Sequence, residues 1–202
     1  MEINHTACPI ALLTWGIGTL IFAYYNIVLQ VEVPYPSVAD SAYILSWPLW
    51  IIGMIRLSKA TGAKYGLRLS GGKITLLAVP TFVAIISYYL LVTVAREGVI
   101  VFTDVKKYKL FFDLAYPLGD VVILMVAILI CGLSFKYLGG IYKKAIYMIL
   151  TSFILMYFAD FAFSYTTTIE TFYTANWVDL LFTITFFVLS LGISMMHYKT
   201  TD

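Results

Sequence analysis

The chain has 202 residues, of which 61% are hydrophobic and 12% charged, and its formal net charge is only +2. Because soluble domains carry about 25% charged residues, this composition excludes a soluble enzyme, a disulfide scaffold and a disordered tail. So small a net charge also gives no indication of a nucleic-acid partner.

Six apolar runs follow one another, and most are long enough to cross a hydrocarbon core of about 30 Å. They are continuously apolar and lack the alternation of a membrane β-barrel strand. We therefore predict an all-α, polytopic membrane protein, multi-pass in the cell membrane. Residues 1–202 would form a single integral membrane domain of six helices arranged as three hairpins. The predicted spans are 8–28, 42–55 with a start near Ser37, 74–95, 110–135, 145–166 and 177–196.

Basic residues predict how these helices are oriented, because cytoplasmic loops of membrane proteins carry an excess of Lys and Arg. The loops after the second and fourth spans and the segment after the sixth share nine bases, whereas the loop after the third span carries four. We therefore predict that both termini are cytoplasmic. The nine are Arg56, Lys59, Lys64, Arg68, Lys73, Lys136, Lys143, Lys144 and Lys199, and the four are Arg96, Lys106, Lys107 and Lys109.

Five aspartates lie toward the outer side of the predicted bundle. An ionised carboxylate within a membrane costs about 2.5–3.5 kcal/mol, so such groups face the bundle interior and are functional candidates. No Lys or Arg lies deep in a span, so Asp120 and Asp160 must be protonated, hydrogen-bonded to hydroxyl groups or bound to a cation. Asp40 and Asp179 also suit the starts of their helices, where an acid serves as a cap.

Aromatic residues accompany these acids, and the combination suits a cation or an amphipathic amine through charge and cation–π contact. We predict an outward-facing ligand pocket; the alternative is a hydrogen-bonded network that only fixes the register of the helices. Pro48 and Pro117 lie inside spans two and four, where a proline acts as a hinge or simply shapes the packing. The predicted ligand-binding residues are Asp40, Tyr43, Asp113, Tyr116, Asp120, Asp160, Tyr165, Trp177 and Asp179.

Several kinds of site find no support in the sequence. No span carries a histidine for haem or a lysine for retinal, and no hydrolase, zinc or nucleotide motif is present. The sequence therefore indicates no catalytic residue and no metal site. It leaves any cofactor unknown and favours a non-enzymatic protein over an enzyme.

The segment PSVADSAYIL at residues 36–45, followed by WPL at 47–49, resembles the P-S-x-A-D-x-x-Y-L-L-x-Y-P-L signature of a multi-helix prokaryotic membrane sensor module. AYPLGD at 115–120 is similar to a later part of it, as is the stretch 159–165 followed by WVDLL at 177–181. That module usually precedes GGDEF diguanylate cyclase or histidine kinase domains, so the resemblance implies a sensory fold with a cytoplasmic C-terminus. No output domain follows the sixth span here, so we expect a partner protein to receive the signal.

Our first interpretation is therefore a stand-alone membrane sensor or small-ligand-binding module. Its expected partners are membrane lipid, which the basic inner loops would meet, and a cytoplasmic or membrane protein. A small cation- or proton-coupled transporter is the second interpretation, with an oligomer left open.

Two further interpretations remain. A membrane hydrolase is the third, because Leu118-Gly119-Asp120 and Phe158-Ala159-Asp160 resemble segments of lysoplasmalogenase-like hydrolases. An accessory subunit of a larger membrane complex, in which the acids act only as structure, is the fourth.

Overall fold

The computed structural model describes residues 7–31, 33–94, 107–134 and 143–198. The helices are α1 (Ala7–Ala23), α2 (Val38–Ala60), α3 (Ala63–Arg68), α4 (Ser70–Tyr88), α5 (Lys107–Ser134), α6 (Lys143–Thr168) and α7 (Trp177–Tyr198). A π-helical turn continues α1 over Tyr24–Leu29 and α4 over Tyr89–Val94. The described residues contain no β-strand, which confirms the all-α prediction.

All of these helices except α3 are long and apolar enough to cross a membrane, as in a multi-pass membrane protein. These six helices coincide with the six predicted spans. Large apolar side chains cover the outside of the bundle; Leu77 and Phe82 of α4, for example, are exposed. Water would disfavour so apolar an exterior, whereas lipid accommodates it. Arg96, Lys106, Lys136 and Lys199, which entered the orientation prediction, lie outside the described residues.

The second span is longer than its apolar run. The backbone N–H and the hydroxyl of Ser37 both donate to Asp40 Oδ2, at 2.6 and 2.9 Å, so the two residues cap the start of α2. The expected start near Ser37 agrees with this cap. The predicted end at residue 55 is wrong by about a turn, because α2 continues to Ala60. Long side chains such as Lys59 let a helix run on toward water while their stems stay in apolar surroundings.

The chain between spans two and three forms the short helix α3 rather than a plain loop. Gly62 takes a left-handed φ of 77°, a conformation that glycine adopts without strain, and thereby turns the chain after α2. Gly66 lies against the backbone carbonyl of Leu133, so closely that a Cβ would overlap it. The Ser134 hydroxyl donates to Thr61 Oγ1 at 2.7 Å. These contacts fix α3 and the end of α2 against the last turn of α5.

Five of the long helices surround a common core. In order of contact they are α1, α2, α5, α6 and α7, and α7 touches α1 again; α4 lies outside this ring and packs against α5. The hairpin partners α1–α2, α4–α5 and α6–α7 each lie side by side. We call the end of the bundle that holds Asp40 and Asp179 the acidic end, and the opposite end, which holds Lys59 and α3, the basic end.

Aromatic rings fill the centre of the ring of helices. Trp15 of α1 stacks on Trp50 of α2 with 5.3 Å between ring centroids, and Phe186 of α7 lies 5.1 Å from Trp15. Trp50 also meets Phe153 of α6 edge-on at 5.6 Å. A second apolar cluster, with Tyr157 among its members, joins α4 to α5 and α6. The aromatic contacts between α1, α2, α6 and α7 hold the two terminal hairpins together.

Candidate carboxyl pair between two helices

The most unusual polar contact in the bundle joins two acids on neighbouring helices. Asp120 of α5 and Asp160 of α6 have their carboxyl groups in hydrogen-bonding contact. Only 6% of the surface of Asp120 is exposed, and Asp160 is half-buried. Among the described residues, Asp120 Oδ1 and Asp160 Oδ2 are enclosed without a hydrogen-bond partner. Small buried residues on α6, Ala159 and Ala162, let neighbouring helices approach closely at this level.

No positive charge accompanies the pair. Every Lys and Arg in the described part of the chain lies near a helix end or in the α3 segment. Two carboxylates in contact repel each other, and burial removes the water that would solvate them. Such a pair therefore holds a shared proton or a cation between its oxygens. The unpartnered oxygen on each acid is the atom available to such an occupant.

A tyrosine beside the pair connects it to α4. Tyr157 lies one turn before Asp160 on α6, and its hydroxyl donates to the Ser87 hydroxyl of α4 at 2.9 Å. Both side chains are buried, and Tyr157 is close enough to Asp120 for an electrostatic interaction between them. Neither Ser87 nor Tyr157 belongs to the predicted ligand-binding set. Tyr157 could have been identified from its position one turn before Asp160, which places the two residues on the same face of α6. Nothing in the sequence distinguishes Ser87 from other hydroxyl residues in apolar helices.

A second acidic contact lies at the acidic end. The Tyr116 hydroxyl of α5 donates to Asp40 Oδ1 at 2.7 Å, while Ser37 occupies Asp40 Oδ2. Tyr43, one turn after Asp40, packs its ring on Gly18 of α1, where a Cβ would lie 2.6 Å from Tyr43 Cε1. Asp40 thus has hydrogen bonds at both oxygens and links the start of α2 to α5.

Tyr116 and Trp47 bridge the two acidic contacts. Tyr116 is one turn before Asp120 on α5, and Trp47 of α2 meets its ring edge-on with 5.1 Å between centroids. The same indole lies against Gly119, the residue next to Asp120. Pro117 follows Tyr116 directly and Pro48 follows Trp47, so both predicted hinge residues adjoin this contact. Their hinge role stays a prediction.

Three of the predicted ligand residues lie apart from the carboxyl pair. Asp179 accepts a hydrogen bond from the Ala175 backbone at 2.6 Å, which secures the start of α7. Trp177 and Tyr165 expose 58% and 38% of their surfaces. The Asp113 side chain is outside the described part of the structure. The structure therefore brings together Asp120 with Asp160, and Asp40 with Tyr116, but places Tyr165 and Trp177 at the surface.

Two buried tryptophans have indole N–H groups without an acceptor among the described residues. They are Trp47 and Trp50. Trp47 presents its six-membered ring, not its N–H, to Gly119, so its donor points away from that contact. Within the described residues no three His, Cys, Asp or Glu side chains come close enough together for a metal ion.

Comparison with known protein families, characterised proteins and solved structures finds no match to this chain. The resemblance to the prokaryotic membrane sensor module therefore stays a prediction that rests on its motifs.

Proposed function

We propose that the protein is a membrane sensor or ligand-binding module whose binding centre is the Asp120–Asp160 pair. The observation that carries this proposal is the contact of two carboxyl groups between α5 and α6, each with an enclosed oxygen lacking a partner in the described structure. Intramembrane acids are rare and usually serve ions, protons or ligands. A purely structural network would be expected to satisfy these oxygens, because an unmade buried hydrogen bond costs about 1–3 kcal/mol.

The chemistry of the pair favours a small monovalent cation, a protonated amine included. Calcium takes six to eight oxygen ligands, more than two carboxyl groups supply. A primary alkylammonium group carries three N–H donors and one positive charge. With one proton retained between the two carboxyl groups, one negative charge remains, and the ammonium group can neutralise it while donating to the two unpartnered oxygens. Tyr116 lies one turn before Asp120 on α5, and Trp47 of α2 packs on the adjacent Gly119, so aromatic rings lie near the pair.

Ligand binding at the Asp120–Asp160 pair would cause a conformational change that reaches α2 through its contact with α5. A cation bound between the oxygens of Asp120 and Asp160 changes the spacing of α5 and α6, and Pro117 lets the start of α5 move separately from its remainder. Trp47, which lies on Gly119, then moves with it. We propose that the acidic end faces outward and admits the ligand. The basic end would then face the cytoplasm and a partner protein that receives the signal.

The test is ligand-induced stabilisation of the protein in lipid nanodiscs. Melting is measured with ammonium, methylammonium and sodium chlorides, with tetramethylammonium chloride as the ionic-strength reference. Ammonium and methylammonium should stabilise the wild type more than tetramethylammonium, which has no N–H donors. Asp120→Asn and Asp160→Asn should abolish that difference. Asp179→Asn, which changes an acid at a helix start, is the matched control and should retain it.

The same experiment refutes the proposal if the Asp120→Asn and Asp160→Asn variants keep the wild-type response. Trp47 fluorescence provides a second readout, because its ring lies on Gly119 beside Asp120. A Trp47→Phe variant identifies its contribution among the four tryptophans. If amines raise the melting temperature without any change in Trp47 emission, binding to the pair still holds. The proposal that binding moves α2 through Trp47 would then be wrong.

A proton-coupled transporter is the second candidate. The observation that favours it is the succession of acidic contacts along α5, from Asp40 with Tyr116 to Asp120 with Asp160. Acids spaced through a membrane bundle form proton relays in pumps and transporters. Reconstituted protein should then carry amine or proton flux across liposomes, and Asp120→Asn should stop it. Binding without flux would favour the sensor.

A further inference from the structure

The docked helix α3 presents a fixed face at the basic end. Its small residues Ala63 and Gly66 are buried, and Gly66 lies on the carbonyl of Leu133. Lys64 and Arg68 are one helical turn apart and are both exposed. Since the buried stripe fixes the rotation of α3, the two basic side chains project from the same side of it.

Apolar side chains accompany these bases. Tyr65 exposes 59% of its surface, and Leu67 and Leu69 are also exposed. A short segment that mixes exposed bases with exposed leucine and tyrosine is typical of the interface between headgroups and acyl chains. A face that only met water would place polar residues at those positions.

Charge at this end has one sign throughout the described structure. From Arg56 to Lys73 the described residues include no Asp or Glu. From Lys143 to Met196 they include Asp160, which lies within the bundle, and Glu170 and Asp179, which lie at the opposite end. Among the described residues, no acid at the basic end is available to neutralise Lys64 and Arg68. An anion from the surrounding membrane has the charge that complements these two bases.

We propose that α3 is an anionic-phospholipid site, in which Lys64 and Arg68 hold a lipid phosphate while Tyr65, Leu67 and Leu69 meet the upper acyl chain. The membrane leaflet at the basic end supplies the lipid, and the connection between α2 and α4 keeps α3 at its surface. Juxtamembrane bases are attracted to anionic lipid, and the attraction adds up over the bases present. This proposal does not depend on what the carboxyl pair binds.

Native mass spectrometry of the purified full chain tests this proposal. The probes are dioleoyl phosphatidylglycerol and dioleoyl phosphatidylcholine, which share acyl chains and differ in headgroup charge. The wild type should retain phosphatidylglycerol preferentially. Replacement of both α3 bases, Lys64→Gln with Arg68→Gln, should weaken phosphatidylglycerol binding about tenfold or more. These side chains are exposed, so the variant should keep the wild-type melting temperature in lipid-free detergent.

A matched control separates a site from general attraction. Lys143 and Lys144 are exposed at the start of α6, also at the basic end. The double variant Lys143→Gln with Lys144→Gln removes the same charge and should retain most of the bound phosphatidylglycerol. Equal loss in the two double variants would overturn the α3 site in favour of diffuse attraction. Equal retention of the two lipids by the wild type, or no loss in either variant, would also overturn it.

Discussion

Gly119 is a position where a single methyl group should disturb the bundle beside the carboxyl pair. A Cβ at Gly119 would lie 2.5 Å from Trp47 Cε3, 2.6 Å from Cδ2 and 2.7 Å from Cζ3. Real Cβ atoms do not approach a ring so closely, so either the indole or α5 must shift. Trp47 is buried and meets the Tyr116 ring edge-on. The indole therefore has little room to withdraw.

The magnitude follows from comparison with a glycine that has space. A Cβ added at Gly16 of α1 would have nothing within 4 Å, so Gly16→Ala adds only the greater helical preference of alanine. Gly119→Ala gains the same helical preference, but its methyl group also overpacks against Trp47, which lowers the free energy of unfolding. Because the propensity gain is common to the two variants, it cancels in their difference. The remainder is the overpacking, about 1–3 kcal/mol.

The assay is reversible unfolding in mixed detergent–SDS micelles, followed by tryptophan emission. Gly119→Ala should be less stable than Gly16→Ala by about 1–3 kcal/mol. Combination with Trp47→Leu should recover part of that loss, because the smaller side chain leaves room for the methyl group. Equal stability of the two alanine variants would refute the packing of Trp47 on Gly119, and with it the proposed route from Asp120 to α2.

Three further changes test the polar contacts of the bundle in the same assay. Tyr116→Phe removes the donor to Asp40 Oδ1 and should destabilise the protein by about 1–3 kcal/mol, as expected for an acceptor left without its partner; an unchanged unfolding midpoint would contradict that bond. Ser87→Ala and Tyr157→Phe, alone and together, should give a coupling energy of about 0.6 kcal/mol and no more than about 1.7 kcal/mol. Strict additivity of the two would argue against their contact. Gly66→Ala should cost about 1–3 kcal/mol by overpacking and make α3 more susceptible to proteolysis, whereas wild-type protection would show that α3 does not rest on α5.

Composition was enough to predict the spans, because a helix in a membrane needs a long apolar run and little else. The start of α2 near Ser37 was also predicted, with Asp40 as the acid that suits a helix start. That Ser37 is the capping residue, with Asp40 three positions later, is seen only in the structure. α3 was not visible. Gly66 of α3 lies on the backbone of Leu133 in α5, and a contact that depends on the absence of a side chain leaves no periodic pattern in the sequence.

The candidate site was partly predictable for a physical reason. Asp120 and Asp160 lie deep in apolar spans without bases, so their need for a partner followed from the sequence alone. Their contact with each other depends on the facing of α5 and α6, which hydrophobic periodicity does not fix in helices that are apolar on every side. For the same reason, the sequence could not show that Tyr165 and Trp177, near the ends of their helices, lie at the surface rather than face the core.

The stacking of Trp15 on Trp50 has an optical consequence. Two indoles 5.3 Å apart on different helices couple their electronic transitions, so the folded bundle should show an exciton signal in circular dichroism that separated helices lack. That band would report the docking of α1 on α2 without a label and independently of emission from Trp47. It would distinguish a variant that has lost only its ligand from one whose core has come apart.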